Sequence, residues 1–148
     1  GYELLIDQGI EKARCFASMI EDSEDFELVT EPELNILTYR WVPLKVRQVL
    51  ANGTGEERQK ANEILNRITR YIQKTQREHG RAFVSRTQLT PRKYDDQAVT
   101  VFRVVLANPL TSMEILQEVL KEQREIAGDS LLGERISQLE ELVAQSRG

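Results

Sequence analysis

The chain is predicted to be α+β, with a small antiparallel sheet of about four strands covered on one face by helices, an N-terminal entry helix and a C-terminal tail helix. Three observations predict it. Apolar residues recur at helical spacing in the stretches around 2–21, 56–79 and 113–127, whereas 26–42 and 82–105 alternate with the period of two that a half-buried strand requires. The resulting order is helix, strand, strand, long helix, strand, strand, helix, helix.

The entry helix is set by Tyr2, Leu5, Ile6, Ile10, Ala13, Phe16, Ala17 and Ile20, which recur at steps of three and four up to about Glu21. The acidic run Glu21 to Asp25 ends it. A short strand, Phe26 to Val29, leads to a predicted turn at Thr30-Glu31-Pro32. The next strand, Asn35 to Val42, sets Leu37, Tyr39 and Trp41 against Ile36, Thr38 and Arg40, and the two strands pair. Pro43 closes it. Asn52-Gly53-Thr54-Gly55 is a loop in which Thr54 and Glu57 have capping-box spacing, opening a long helix with the face Ala61, Ile64, Leu65, Ile68, Tyr71 and Ile72. Gly80 suits the left-handed position beyond its end. A strand Ala82 to Thr87 and a strand around Arg103 form a long-looped antiparallel hairpin across Gln88 to Gln97. Thr111 and Glu114 have the spacing of a second capping box before the stripe Met113, Leu116, Val119, Leu120 and Gln123. Beyond Gly128, Leu132, Ile136, Leu139 and Val143 form a seam that suits packing on the same domain or on a neighbouring subunit.

Composition narrows the function classes. The 148 residues, 40% of them hydrophobic, suffice for one compact domain. A net charge of −4 and a pI near 5.2, with scattered rather than clustered cations, argue against a nucleic-acid partner. No apolar run approaches a membrane span. Cys15 is the single cysteine and has no internal disulfide partner, which points to a reducing, cytoplasmic setting. The chain starts Gly1-Tyr2-Glu3 and enters a helix at once, so it reads as an excised piece.

Chemistry-bearing motifs are few. His79, the single histidine, sits at a helix end, where the helix dipole accounts for it, and leaves no base for a serine nucleophile at Ser85 or Ser112. Gly53 and Gly55 precede no lysine-serine or lysine-threonine pair, so there is no P-loop. Glu56-Glu57 and Asp95-Asp96 read as solvated, and Tyr39 and Trp41 as core. The exception is Arg103, in the apolar run Val99 to Leu106. A guanidinium keeps its charge, so it needs either a paired carboxylate, for which Glu27 or Glu33 is the natural candidate, or a site built to receive an anion. Its face carries Val99, Val101 and Val105, which suits docking against another domain better than contact with water. Arg40 and Arg81 are runner-up anion binders, but their places near segment ends predict surface pairs.

The segments Tyr2-Glu3-Leu4-Leu5-Ile6-Asp7, Phe26-Glu27-Leu28-Val29 through Pro32 and Leu34-Asn35-Ile36, Gly80-Arg81-Ala82-Phe83-Val84-Ser85, and Phe102-Arg103-Val104-Val105-Leu106-Ala107-Asn108-Pro109 with Thr111 carry a resemblance in their order and spacing. From Tyr2 to about Ala127 the chain resembles the carboxy-terminal small domain of a group II pyridoxal-phosphate-dependent amino-acid decarboxylase, the family of glutamate, aromatic-amino-acid and diaminobutyrate decarboxylases. The wording is closest to bacterial aspartate or glutamate decarboxylases. The resemblance implies a division into 1–127, the small domain of a fold-type I enzyme, and 128–148, a helical tail. It also implies a cytoplasmic homodimer acting on a small, acidic amino acid, without nucleic-acid or membrane partners. Pyridoxal phosphate would sit in a larger domain of the same protein, bound through a lysine absent here: none of Lys12, Lys45, Lys60, Lys74, Lys93 and Lys121 follows a histidine. The fragment alone is therefore expected to be inactive, with no catalytic or cofactor-binding residue of its own, and Arg103 to be the substrate-carboxylate-binding residue. A non-catalytic interaction module using the tail seam, or a small regulatory domain that binds an amino acid at Arg103, are the alternatives.

Overall fold

The computed structural model describes residues 2–81, 83–106, 108, 110–128 and 133–147, with side chains except at 2–8, 133–136, 146 and 147. In chain order the elements are α1 (Tyr2–Asp22), β1 (Phe26–Glu33), β2 (Ile36–Trp41), α2 (Leu44–Asn52), α3 (Gly55–Glu78), β3 (Val84–Leu89), β4 (Val99–Val105), α4 (Met113–Ala127) and α5 (Gly133–Arg147). The four strands form one antiparallel sheet in the order β1-β2-β4-β3, which makes β4 an inner strand although it comes last. The α+β class holds.

Register divides the side chains between two faces. Tyr39 stands opposite Phe102 and Leu37 opposite Val104, while Thr38 stands opposite Arg103. The first set is the core face. Tyr39 lies edge-on to Phe16 of α1 with ring centroids 5.4 Å apart, and meets Phe26 at 5.8 Å and Phe102 at 5.2 Å. Leu65, Ile68 and Ile72 of α3 and Leu116, Val119 and Leu120 of α4 complete this layer. Tyr2, Leu5 and Ile6 of the entry-helix stripe lie outside the described side chains, as do Leu132 and Ile136 of the tail seam; Leu139, Leu142 and Val143 are buried as α5 packs on α2 and α3.

Polar residues on the core side lock the helices to the strands. The Asn66 amide of α3 donates to the carbonyl of Ala98 at 2.9 Å and accepts from the N–H of Thr100 at 2.9 Å, acting as one further strand residue at the start of β4. Tyr39 donates its hydroxyl to Gln123 at 2.9 Å, Gln123 donates to Gln76 at 2.9 Å, and Gln76 donates to the Val119 carbonyl at 3.4 Å. Each of these groups is buried, and the chain of bonds satisfies them. Burial pushes the Tyr39 hydroxyl above its ordinary range, against the opposing hydrogen bond to Gln123.

Several boundaries differ from expectation. The first strand continues through Thr30 and Pro32 to Glu33, with register shifts on either side of Thr30, and the turn falls instead at Leu34 (φ 57°) and Asn35. An edge strand tolerates a proline because one side of its backbone has no ladder to maintain. Helix α2 was not predicted: nine residues with Val46, Val49 and Leu50 buried are too few for a periodic signal, and Pro43 read as a strand stop is also a helix start. The third strand begins at Val84; Ala82 lies outside the described residues, as do Ala107 and Pro109. The cap before α4 is Ser112, which accepts from the Ile115 N–H at 3.2 Å, so Thr111 and Glu114 do not form a box. Trp41 is half-buried at the margin of the core rather than within it. The Thr54–Glu57 box is present in both halves, and Gly80 has φ 91°.

Asn66→Ala would leave the buried N–H of Thr100 without a partner, at about 1 to 3 kcal/mol, while the carbonyl of exposed Ala98 turns to water. Urea denaturation should show a loss of about 1 to 3 kcal/mol; a loss below about 0.5 kcal/mol would mean that water replaces the amide at Thr100 as well.

Candidate carboxylate-binding site

Arg103 occupies the middle of β4 on the face turned away from the helices, flanked in register by Thr38 on β2 and Ser85 on β3. Both neighbours are small hydroxyl residues, so neither overhangs the guanidinium. Ser85 donates its hydroxyl to the Arg103 carbonyl at 3.2 Å, and Thr38 shares a 2.7 Å hydrogen bond with Thr30, which fixes both. Arg103 itself is half-buried, and among the described residues no carboxylate pairs with it. The expected partners are accounted for otherwise. Glu27 is taken by Arg40, and Glu33 is exposed at the strand end.

Arg40 departs furthest from expectation. It was expected to make a surface pair near a segment end, yet its side chain is fully buried, with Nε donating to Glu27 Oε1 at 2.9 Å. The cause is tertiary. The connection between β3 and β4 folds back over this end of the sheet and places the Tyr94 ring against the Arg40 guanidinium, 5.1 Å from ring centroid to Cζ. Tyr94 donates its hydroxyl to the second oxygen of Glu27, and the Lys93 ammonium lies 3.6 Å from that same oxygen. Burial pushes the Glu27 carboxyl up, but the Arg40 charge, the Tyr94 hydroxyl and the Lys93 charge together outweigh it and hold the group below its ordinary value. Burial, first, and then the charge of Glu27 push the Tyr94 hydroxyl up, with Arg40 opposing. Arg40 Nη1 and Nη2 are buried without a hydrogen-bond partner among the described residues.

The same fold-back corrects the docking argument from Val99 and Val101. Both are fully buried within the chain, and only Val105 and Ile36 remain half-exposed beside Arg103. Arg81 does make surface pairs, 3.5 Å from Glu118 and 3.7 Å from Glu122 on α4. A cleft of about 570 Å³ next to Glu27 is lined by Glu21, Arg47, Arg58, Lys93 and Tyr94; its acidic and basic side chains offset one another, and Arg103 does not line it. Among the described residues no three potential ligands gather around a metal position. Lys45, Lys60, Lys74, Lys93 and Lys121 are exposed and Lys12 is half-exposed. Among the described residues no helix is long and apolar enough to cross a membrane.

The fold recurs within larger proteins of known structure. Mouse CSAD in its apo form superposes with a TM-score of 0.66 at 22% identity, over 84% of this chain and 24% of that one. The glutamate decarboxylase domain of diaminobutyrate-pyruvate transaminase and L-2,4-diaminobutyrate decarboxylase from Vibrio parahaemolyticus gives 0.59 at 17% identity, over 83% and 21%. Oryza sativa TDC with PLP and tryptamine gives 0.59 at 14% identity, over 84% and 22%. In sequence, the chain is 62% identical over 130 residues to an aspartate 1-decarboxylase of Aliivibrio fischeri, a match that covers 88% of the chain and 24% of that protein. The chain thus spans about a quarter of the curated relative it matches. No family model matches the chain.

Because the folded-state value of Glu27 is lowered, its stabilising contribution is complete above the ordinary carboxylate value of 4.5 and is lost as pH falls through the folded value. Removing one member of a buried pair costs about 3 to 5 kcal/mol in general. Glu27→Gln should therefore lower the urea midpoint strongly at pH 7 and much less at pH 3; equal differences at the two pH values would show that the ion pair contributes nothing.

Proposed function

We propose that this chain is the small domain of a pyridoxal-phosphate-dependent decarboxylase that removes the α-carboxylate of an acidic amino acid, and that Arg103 grips a carboxylate of the substrate. The observation that carries the reading is a guanidinium in the middle of an inner strand with no carboxylate partner among the described residues, on the face turned away from the described helices that pack on the sheet. A planar fork of donors suits bidentate capture of a carboxylate. The identity to an aspartate 1-decarboxylase supports an acidic substrate. The matches to that relative and to the structural neighbours cover similar shares, 21 to 24% of each protein, which supports placing the chain as a comparable part of a larger enzyme.

The reading assigns the cofactor to a larger domain of the same cytoplasmic, homodimeric protein, bound through a lysine that this sequence does not contain. Pyridoxal phosphate supplies the electron sink that decarboxylation needs, and the neighbour that carries PLP supports this cofactor over a pyruvoyl group. The chain's own contribution is orientation. Arg103 holds one carboxylate, which fixes the direction of the remaining bonds at the α-carbon, while the small residues Ser85 and Thr38 leave the approach open.

Losing a charge-stabilising contact of this kind costs about 3 to 4 kcal/mol, roughly 100- to 1000-fold in rate. In the full-length protein, Arg103→Ala should lower kcat/KM for aspartate by about that factor while visible absorption of the bound cofactor stays as in wild type. Unchanged turnover would end the carboxylate role, and a purified protein without visible absorption would exclude pyridoxal phosphate.

A further inference from the structure

Cations are spread along the whole sequence, but acids are not: between Ile64 and Tyr94 eight arginines and lysines stand against one acid, Glu78, in a chain whose net charge is −4. The fold brings two of those cations to one place. Arg86 and Gln88 on the edge strand β3 are register partners of Phe102 and Thr100, so they stand on the helix-covered side of the sheet, away from Arg103. Arg70 of α3 meets them from above. Its Nη1 donates to Thr100 Oγ1 at 3.4 Å, and Arg86 Nη1 donates to the Arg70 carbonyl at 3.2 Å. With Thr87, these residues line a crevice of about 290 Å³. No carboxylate lines it, and neither arginine has an ion pair among the described residues. Elsewhere the fold does pair such arginines, Arg58 with Asp95, Arg81 with Glu118 and Glu122, and Arg124 with Asp25. The nearest acids along α3, Glu63 and Glu78, lie two turns from Arg70 on either side, about 10 to 12 Å by helix rise, where salt screens them.

We infer that this crevice binds the phosphate group of a small dissolved molecule, at a site separate from Arg103. The inference does not rest on the reading of Arg103. Two guanidiniums at one crevice repel each other unless an anion lies between them. One arginine fork saturates the two oxygens of a carboxylate, whereas two forks and the Gln88 amide suit a phosphate group, with three free oxygens and up to two charges. Each guanidinium is already held by one of its nitrogens and keeps its other donors for a ligand, so little side-chain freedom remains to be lost on binding. None of the exposed large apolar residues Leu34, Leu44 and Leu110 lines the crevice, so nothing there would enter a bilayer beside a lipid headgroup. That favours a dissolved phosphate ester.

The test is a calorimetric titration of the full-length protein with inorganic phosphate at low ionic strength, with acetate as the carboxylate control. R70Q and R86Q should each weaken phosphate binding at this site by about tenfold to a hundredfold, and R70Q/R86Q should remove one site per chain. R86K should recover only part of the loss, because an ammonium keeps the charge without the fork. R103A should keep the site. A folded R70Q/R86Q with wild-type affinity and stoichiometry overturns the inference. So does a loss in R103A that the double variant does not share, which would move phosphate to the Arg103 face, and so does acetate bound as tightly as phosphate. Should the double variant fail to fold, R86Q decides alone, since Arg86 is exposed on an edge strand, and wild-type binding by R86Q again overturns the inference. Co-sedimentation with phosphatidic-acid vesicles that R86Q abolishes would overturn the dissolved source in favour of a lipid headgroup.

Discussion

Strand β4 is hydrogen-bonded on both edges, to β2 and to β3, and its start is held a third time by the Asn66 amide of α3. With its backbone so constrained it cannot slip by one residue without turning Phe102 out of the core and Arg103 into it. The position of the arginine is therefore as well determined as the core itself. The aromatic cluster around Tyr39 and the buried chain through Gln123 and Gln76 act in the same direction, since they commit one face of the sheet to the helices.

Electrostatics on the second face separate two residues of one type. Sheet geometry alone would make Arg40 and Arg103 equivalent: each is on an inner strand, and each points away from the helices. The return of the β3–β4 connection, which carries Tyr94 and Lys93, covers one and spares the other. A buried guanidinium requires a partner, and Glu27 on the edge strand supplies it. Arg103, beyond the reach of that loop, stays half-buried with no carboxylate partner among the described residues. The chain spans about a quarter of the proteins it resembles.

Much of this was legible from residues alone where the signal is local. The Thr54–Glu57 box, the left-handed Gly80 and the stripes of α3 and α4 are matters of spacing within one or two turns, and each is found where the spacing puts it. Arg103 stood out because an arginine between Phe102 and Val104 contradicts its surroundings. Arg40 did not, because Arg40-Trp41-Val42-Pro43 looks like the exposed end of a strand, and the residue that buries it lies 54 positions further along the chain. The buried polar face of α3, with Asn62, Asn66, Thr69, Gln73 and Gln76, was hidden for a related reason: a polar side chain carries no burial signal until the strands and helix that receive it are in place.

The sequence by itself determined the alternation of helices and strands, the α+β class and the anomaly at Arg103, because periodicity, caps and a charge in an apolar run are properties of neighbouring residues. Only the tertiary structure decided which arginine is sequestered and which is available, because that choice depends on Tyr94 and Glu27 arriving from distant segments. Burial and pairing of a charge belong to the assembled surface, not to the position that carries it.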